Sequence, residues 1–158
     1  MMKKIFVGSS SEAIEQAENV ATFLEQAGAD VILWNTAFKN GDITFQVIEQ
    51  LSNEVSGAVL LTTPDDQSII RNERVMIPRA NVIFEYGYLA AKLGRSRVAI
   101  CNYEETRLPS DFAGVTYIFM GSYDNSSISN NCKSLLRDWL NSIPEHQSGF
   151  STNIITHG

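Results

Sequence analysis

Gly57-Ala-Val-Leu-Leu-Thr62 (GAVLLT) is the most apolar stretch of the 158-residue sequence. A short apolar run without polar alternation is typical of a strand that is buried on both faces of a parallel sheet. The run therefore predicts a strand in the middle of a sheet. The rest of the fold is predicted from the patterns on either side of it.

Four further strands are predicted around this one. Lys4–Gly8 and Val31–Trp34 precede it, and Arg97–Asn102 and Thr116–Met120 follow it. Helical patterns alternate with the strands, which implies parallel pairing through right-handed crossovers. We predict an α/β fold of flavodoxin-like type, a five-stranded parallel sheet in the order 2-1-3-4-5 with helices on both faces. Ligands bind such sheets beyond the carboxyl ends of the strands, between the first and third strands.

The helix boundaries are predicted from capping residues and glycines. Ser9 to Glu12 has the spacing of a capping box, and Asn81 is expected to cap a helix that ends at Lys92 or Leu93. A last helix is expected from about Ser129 to Leu140, with its side chains turned inward at Leu135, Leu136 and Trp139. Residues 63–80 form a connector that is unusually long for a compact domain.

The bulk composition limits the classes of function. Hydrophobic residues make up 44% of the chain, charged residues 19%, and the formal charge is −6. Without a Lys/Arg cluster, a nucleic-acid partner is not expected. No apolar run is long enough to cross a bilayer and no signal peptide is recognised, so we predict a cytoplasmic protein without a membrane partner. Cys101 and Cys132 provide neither a disulfide framework nor the spacing of a metal site.

We predict one domain over residues 1–143. Residues 144–158 are polar and irregular, and are interpreted as a tail or as a linker to a C-terminal sensor domain that is not part of this sequence. Both histidines, His146 and His157, lie in that segment, so no histidine base, Ser-His-Asp triad or histidine metal site is expected in the domain. No P-loop and no G-x-G-x-x-G motif is present. Any catalysis is therefore expected to depend on carboxylates and backbone groups, without a metal.

Glu85 is the strongest candidate for a catalytic side chain. It is the only charged residue between Arg79 and Lys92, near the start of the helix that follows the central strand. A helix N-terminus favours the ionised carboxylate, whereas apolar neighbours raise its pKa. The alternative is an acid that stabilises the helix dipole from a solvated face. The sequence pattern leaves both interpretations open.

Three further groups of side chains have two interpretations each. The hydroxyls of Ser9–Ser11 either bind a phosphate or ribose or only cap a helix. Trp34 and Phe38 either stack on a flat ring or pack the loop between them. Asp65 and Asp66 follow the central strand, but the other residues of a phosphorylation site are absent, so a turn is predicted there.

Several of these segments together resemble the signature of a bacterial TIR-like family. They are RANVIFEYG at 79–87, LGR at 93–95, KIFVGSSS at 4–11 and the loop from Trp34 to Gly41. The family provides effector domains of anti-phage systems that signal through cyclic nucleotides. It includes the TIR domains fused to bacterial STING in CBASS systems and those of Pycsar effectors. The resemblance extends over about residues 3–142.

The resemblance implies an activity, which is hydrolysis of the bond between nicotinamide and ribose in NAD+. It implies that Glu85 is the catalytic residue and that NAD+ is the substrate, so no cofactor is expected. It places these residues near the substrate: Gly8, Ser9, Ser10, Phe38, Arg79 and Asn81.

The resemblance also implies how such a domain is regulated. The domains assemble into oligomers or filaments when a sensor domain binds a cyclic nucleotide, which this domain does not itself bind. Residues 35–42 correspond to the BB loop, which moves when TIR subunits assemble.

Two other functions remain open on the residues alone. A nucleoside 2-deoxyribosyltransferase-like enzyme would share the fold and a glutamate that acts at an anomeric carbon, but would exchange bases on deoxynucleosides. A non-catalytic TIR scaffold would only recruit partners and would tolerate loss of Glu85.

Overall fold

The computed structural model describes residues 2–37, 45–108, 114–125 and 127–145. The strands are β1 (Lys4–Gly8), β2 (Asp30–Leu33), β3 (Gly57–Thr62), β4 (Asp66–Ile70), β5 (Glu73–Ile77), β6 (Val98–Tyr103) and β7 (Thr116–Gly121). The α-helices are α1 (Ile14–Gln26), α2 (Trp34–Ala37), α3 (Phe45–Ser52), α4 (Ala80–Leu93) and α5 (Asn130–Ser142).

A five-stranded parallel sheet has the order β2-β1-β3-β6-β7. If its strands are counted in chain order this is 2-1-3-4-5, so the predicted flavodoxin-like α/β fold is confirmed. All six residues of β3 are buried, as expected for the central strand. The switch point between β1 and β3 therefore lies where the sequence predicted it.

Helices cover both faces of the sheet, and alternate residues of β1 face opposite cores. Ile5 and Val7 belong to the core beneath α1 and α5. Phe6 belongs to the core beneath α3 and α4. Because strand side chains alternate between faces, Gly8 lies on the same face as Phe6, towards α4.

In α5 the predicted inward position of Leu135 is wrong, since its side chain is 40% exposed. Leu136, Trp139 and Leu140 are buried and follow the i, i+3, i+4 spacing of one helix face. Leu135 falls outside that arc because each residue advances the helix by about a quarter turn.

The long connector after β3 contains secondary structure that the sequence analysis did not predict. β4 and β5 pair as an antiparallel hairpin, with Arg71 and Asn72 at the turn in positive φ. A tight hairpin turn is usually recognised in a sequence by an Asn-Gly or Asp-Gly pair, and this turn has neither. The hairpin contacts the main domain where the Arg107 amide donates to the carbonyl of Met76, at 2.8 Å.

Two predicted helix caps are wrong. The predicted capping box from Ser9 to Glu12 is not formed, since Ser9 Oγ donates to the Ser10 carbonyl. A 3-10 turn, Ser11–Ala13, precedes α1, and its N-cap Ser10 makes no capping bond through its side chain, which lies against Thr63. In α4 the N-cap is Arg79, whose extended backbone leaves Asn81 as the second helical residue. Ser129 does cap α5, accepting a bond from the Cys132 amide at 3.1 Å.

The carboxyl-terminal boundary is partly described. α5 ends at Ser142, and Ile143 is buried against the α1–α5 core. Residues 146–158, including both histidines, lie outside the described residues, so the predicted tail or linker stays a prediction. Across the described ranges, no helix is both long enough and apolar enough to cross a membrane.

Candidate active site

Glu85 lies in the second turn of α4 and faces the sheet. Its side chain is 1% exposed, so the interpretation of an acid on a solvated face is wrong. A Cβ atom added at Gly8 would lie 2.7 Å from Glu85 Oε1, and nearly as close to side-chain atoms of Leu60 and Phe6. Gly8 therefore allows the carboxyl group to approach the end of β1. The approach brings together two residues that the sequence predicted for the site.

The environment of Glu85 favours its neutral form. Burial raises the pKa of Glu85 to about 8, and the Asn81 side chain, one turn earlier, partly opposes this shift. The Asn81 amide acts on the pKa as a hydrogen-bond donor, but no group among the described residues makes a well-formed hydrogen bond to either carboxyl oxygen. Of the influences considered from the sequence, burial among apolar neighbours is the one that sets the direction of the shift.

The serines that follow β1 are engaged with the protein itself. Ser9 Oγ donates to the Ser10 carbonyl at 2.9 Å and accepts from Trp34 Nε1 at 2.7 Å. Ser10 Oγ lies 3.4 Å from Thr63 Oγ1. Ser9 and Ser10 are each 2% exposed, whereas Ser11 is exposed and bonds only to Glu12. The Ser9 hydroxyl thus orients Trp34, and its role towards a substrate stays a prediction.

Trp34 begins α2 and is half-buried against the core beneath α3 and α4. The packing interpretation therefore has contacts to support it, and stacking on a flat ring stays a prediction. Phe38 and residues 39–42 of the predicted BB loop lie outside the described residues.

Arg79 lies at the rim of the site, where two acids hold its guanidinium group. Its Nη2 is 2.9 Å from Glu12 Oε1, and its Nε is 2.9 Å from Asp66 Oδ1. The side chain is 36% exposed, so solvent screens both pairs. Its main visible role is to join the start of α1 to the hairpin, and the predicted role in substrate binding stays untested.

A buried polar network beside the site was missed by the sequence analysis. Thr62 Oγ1 donates to Asn102 Oδ1 at 2.6 Å, and Asn102 Nδ2 donates to the Thr106 carbonyl at 3.2 Å and to Tyr117 Oη at 3.0 Å. The sequence signal for this network is a polar residue near the end of each of two otherwise apolar strands, Thr62 in β3 and Asn102 in β6. Such positions lie at the carboxyl edge of a parallel sheet, where ligands bind.

The acids after β3 also have partners in the protein. Asp65 accepts from Thr63 Oγ1, and Asp66 pairs with Arg79. The chain bends between Thr63 and Asp65, as predicted, but Asp66 is already the first residue of β4. Within the described ranges, no group of three or more His, Cys, Asp or Glu side chains is arranged to hold a metal ion.

The arrangement can stabilise positive charge in a ligand that reaches Glu85. An ionised carboxylate in a dry site interacts strongly with an adjacent cation, because little solvent screens the two charges. Both oxygens of Glu85 are among the buried polar atoms of the described residues that have no hydrogen-bond partner.

Comparisons with known proteins agree with the resemblance. A family model described as "CAP12/Pycsar effector protein, TIR domain" matches residues 4–140. The CD-NTase-associated protein 12 of Niabella drilacis is 32% identical over 80% of this chain and 42% of its own length. That of Lachnospiraceae bacterium is 30% identical over 73% of this chain and 37% of its own. The Pycsar effector protein PaPycTIR of Pseudomonas aeruginosa is 32% identical over 83% of this chain and 45% of its own. The chain spans about two-fifths of the length of these relatives.

Proposed function

The chain belongs to the TIR-domain family of CAP12/Pycsar effector proteins, and on that premise we propose that it hydrolyses the nicotinamide–ribose bond of NAD+. Glu85 is the catalytic carboxylate in this proposal. The observation that carries it is the position of Glu85, buried against Gly8 at the carboxyl edge of the sheet with both oxygens unpartnered among the described residues. A buried polar group is normally satisfied, and a catalytic role is one of the explanations for an exception.

The chemistry of NAD+ suits a site that has one carboxylate. Nicotinamide in NAD+ is a cationic leaving group and departs as a neutral base, so no general acid is needed. Its departure leaves positive charge on the anomeric carbon and ring oxygen of the ribose. An ionised Glu85 stabilises that charge electrostatically, or forms a transient ester as carboxylates do in retaining glycosidases. Attack by water then gives ADP-ribose.

The remaining predicted residues surround this centre in the proposal. Asn81 lies one helical turn before Glu85, so its amide is placed to bind a ribose hydroxyl beside the carboxylate. Gly8 leaves room for the carboxyl group, and Ser9 holds Trp34 at the edge of the site. Ser10, Phe38 and Arg79 are assigned to the rest of the dinucleotide.

We further propose that the domain acts as an anti-phage effector whose turnover depends on self-association. In this scheme a cyclic nucleotide acts through a sensor domain on the same polypeptide, and depletion of NAD+ follows assembly. Specific activity should then rise with protein concentration. A specific activity that stays constant from dilute to crowded solution contradicts this dependence.

The direct test is release of nicotinamide from NAD+ by the wild type and by Glu85→Gln. The assay is run dilute and crowded, with deoxynucleosides as a second substrate class. Glu18→Gln is the matched control, since it removes one negative charge from the exposed face of α1. We expect the wild type and Glu18→Gln to release nicotinamide, and Glu85→Gln to lose at least about a thousandfold in turnover.

Three outcomes contradict the proposal. Base exchange on deoxynucleosides without loss of NAD+ would identify a deoxyribosyltransferase-like enzyme. An inactive wild type under crowded conditions would identify a scaffold. Unchanged turnover in Glu85→Gln would remove the carboxylate from the chemistry.

A further inference from the structure

We propose that Glu85 is uncharged in the empty site and releases its proton to solvent when a cationic pyridinium nucleotide binds beside it. The inference rests on the proposed function and adds a selection rule. The site takes nucleotides whose base carries a permanent positive charge, and their binding is coupled to ionisation of the carboxyl group.

Ionisation of Glu85 is unfavourable in the protein without a ligand. The side chain is 1% exposed, and among the described residues the Asn81 amide is the donor that acts on its pKa, without a well-formed hydrogen bond to either oxygen. A carboxylate removed from water without a hydrogen bond or counter-ion is strongly unfavourable, and such a group takes up a proton instead. The Gly8 backbone and the Leu60 and Phe6 side chains lie against it and offer no charge.

The charged groups on the surrounding elements do not compensate an ionised Glu85. Arg79, the N-cap of α4, is the cation nearest to Glu85 in sequence, and it is already paired with Glu12 and Asp66. The other titratable side chains on β1, β6, α3 and α4 are Lys4, Cys101, Tyr103, Glu49, Tyr86, Tyr88 and Lys92, while β3 has none. Among the described residues the pKa of Glu85 responds to burial and to Asn81, and to none of these charges.

A cationic ligand supplies the positive charge that the described residues do not bring to Glu85. A nicotinamide ring in its oxidised form brings a positive charge to the carboxyl group, and that charge offsets the desolvation of the carboxylate. The reduced ring of NADH has nearly the same shape and no charge. The bases of ordinary nucleosides are also uncharged. The cationic ligand therefore binds the ionised form of Glu85, and the neutral ligand leaves the proton in place.

The coupling has a defined pH dependence. A free-site pKa of about 8 leaves roughly one molecule in ten ionised at pH 7 and one in a hundred at pH 6. The affinity for a cationic ligand should therefore rise about tenfold per pH unit below 8 and level off above it. The affinity for the neutral ligand should show no such rise.

The experiment measures binding rather than turnover. Carbocyclic NAD+ keeps the pyridinium charge but has a methylene in place of the ribose ring oxygen, so its nicotinamide does not leave through a stabilised sugar cation. Its binding and that of NADH are measured by calorimetry at pH 6, 7 and 8, in two buffers of different ionisation enthalpy. The proteins are wild type, Glu85→Gln and the surface control Glu18→Gln.

We expect the wild type and Glu18→Gln to release about one proton per carbocyclic NAD+ at pH 6 and none with NADH. Glu85→Gln should release none with either ligand, and its affinity should not change with pH. Carbocyclic NAD+ that binds wild type without proton release, or that does not bind, overturns the inference.

The result is separable from that of the proposed function. Proton release on binding in a protein that never consumes NAD+ would support the inference and contradict the enzymatic assignment. In an active enzyme, the inference also requires kcat/KM for NAD+ to rise with pH up to about 8 while kcat stays flat, because the bound cation has already ionised Glu85. A flat kcat/KM profile in an active enzyme overturns it.

Discussion

The two edges of the central sheet differ in how their long ionisable side chains are bonded. At the amino edge, Lys3 Nζ donates to the Leu140 carbonyl at 2.6 Å, and Arg97 Nη1 donates to the carbonyls of Ser56 and Pro144 at 2.8 and 3.2 Å. At the carboxyl edge, Glu85 is more deeply buried and has no such partner among the described residues. The two basic side chains of the first edge are bonded to backbone carbonyls of the fold, whereas the carboxyl group of the second has no such bond among the described residues.

In the proposed function, this difference separates ionisable groups that support the fold from a catalytic one. An unpaired buried polar group costs about 1–3 kcal/mol, and more if it is charged. A fold that depended only on stability would replace Glu85 with an apolar residue. Substitutions at the amino edge should therefore affect stability alone, and substitutions around Glu85 should affect activity or the dependence of stability on pH.

The largest expected effect is the pH-dependent stability that Glu85 confers. Its pKa is raised by folding, from an ordinary value of 4.5 to about 8, so the folded state binds the extra proton between these values. Stability is then full below about pH 4.5 and falls as pH rises towards 8. Relative to Glu85→Gln, the wild type should lose about 3 kcal/mol between pH 4.5 and 7, at about 1.4 kcal/mol per pH unit.

Urea unfolding of both proteins at pH 5, 6 and 7 measures this difference. Glu18→Gln, on the exposed face of α1, should follow the wild type at every pH. Parallel stability profiles for the wild type and Glu85→Gln would mean that Glu85 is ionised in the folded protein, and the contrast between the edges would fail.

The next effect concerns the approach of Glu85 to β1. Gly8→Ala would place a Cβ 2.7 Å from Glu85 Oε1 and within 3 Å of two apolar side chains, so the carboxyl group must move. We expect turnover of NAD+ to fall about 100-fold, as misplacement of a catalytic group by about 1 Å can cause. Stability should fall by about 1–3 kcal/mol through overpacking.

Gly87→Ala is the matched control, on α4 two residues beyond Glu85. A Cβ there would meet nothing within 4 Å, and the substitution favours the helix by up to about 1 kcal/mol. Turnover should be unchanged and stability equal or higher. If the two alanine variants lose activity to the same extent, crowding at Gly8 is not the cause.

The amino edge should respond in stability alone. Arg97→Met keeps much of the aliphatic stem but removes the donor shared by the Ser56 and Pro144 carbonyls. We expect a loss of about 2 kcal/mol in the free energy of unfolding, the range for hydrogen bonds from a charged group, with kcat and KM unchanged. Lys92→Met, at an exposed site on α4, should change neither quantity. A raised KM in Arg97→Met would place this edge in substrate binding.

The smallest effect is expected for the bond between Trp34 and Ser9. Trp34→Phe removes the donor to Ser9 Oγ and keeps an aromatic ring, which should cost about 1 kcal/mol in stability. A double-mutant cycle with Ser9→Ala isolates the pair, and Ser11→Ala is the exposed control. A coupling energy near zero would show that the bond does not contribute to the packing of this edge.

The fold was largely predictable because its signals are local. The apolar run of β3 and the alternation of strands and helices require only neighbouring residues. The β4–β5 hairpin was missed because its turn has no glycine: Asn72 is a common residue in positive φ, but Arg71 is not. The predicted caps at Ser9 and Asn81 were wrong because more than one polar residue lies near each helix start. Which of them becomes the N-cap depends on contacts with residues that are distant in the sequence.

The sequence by itself determined the order of the strands, the edge at which a site would lie and the identity of its one candidate carboxylate. Only the tertiary structure decided that Glu85 is buried, that it lies against Gly8 and that its two oxygens lack partners among the described residues. The physical reason is that the charge state of a carboxyl group depends on the solvent and atoms around it. Those atoms come from β1 and β3, which are distant from α4 in the sequence and adjacent to it in the fold.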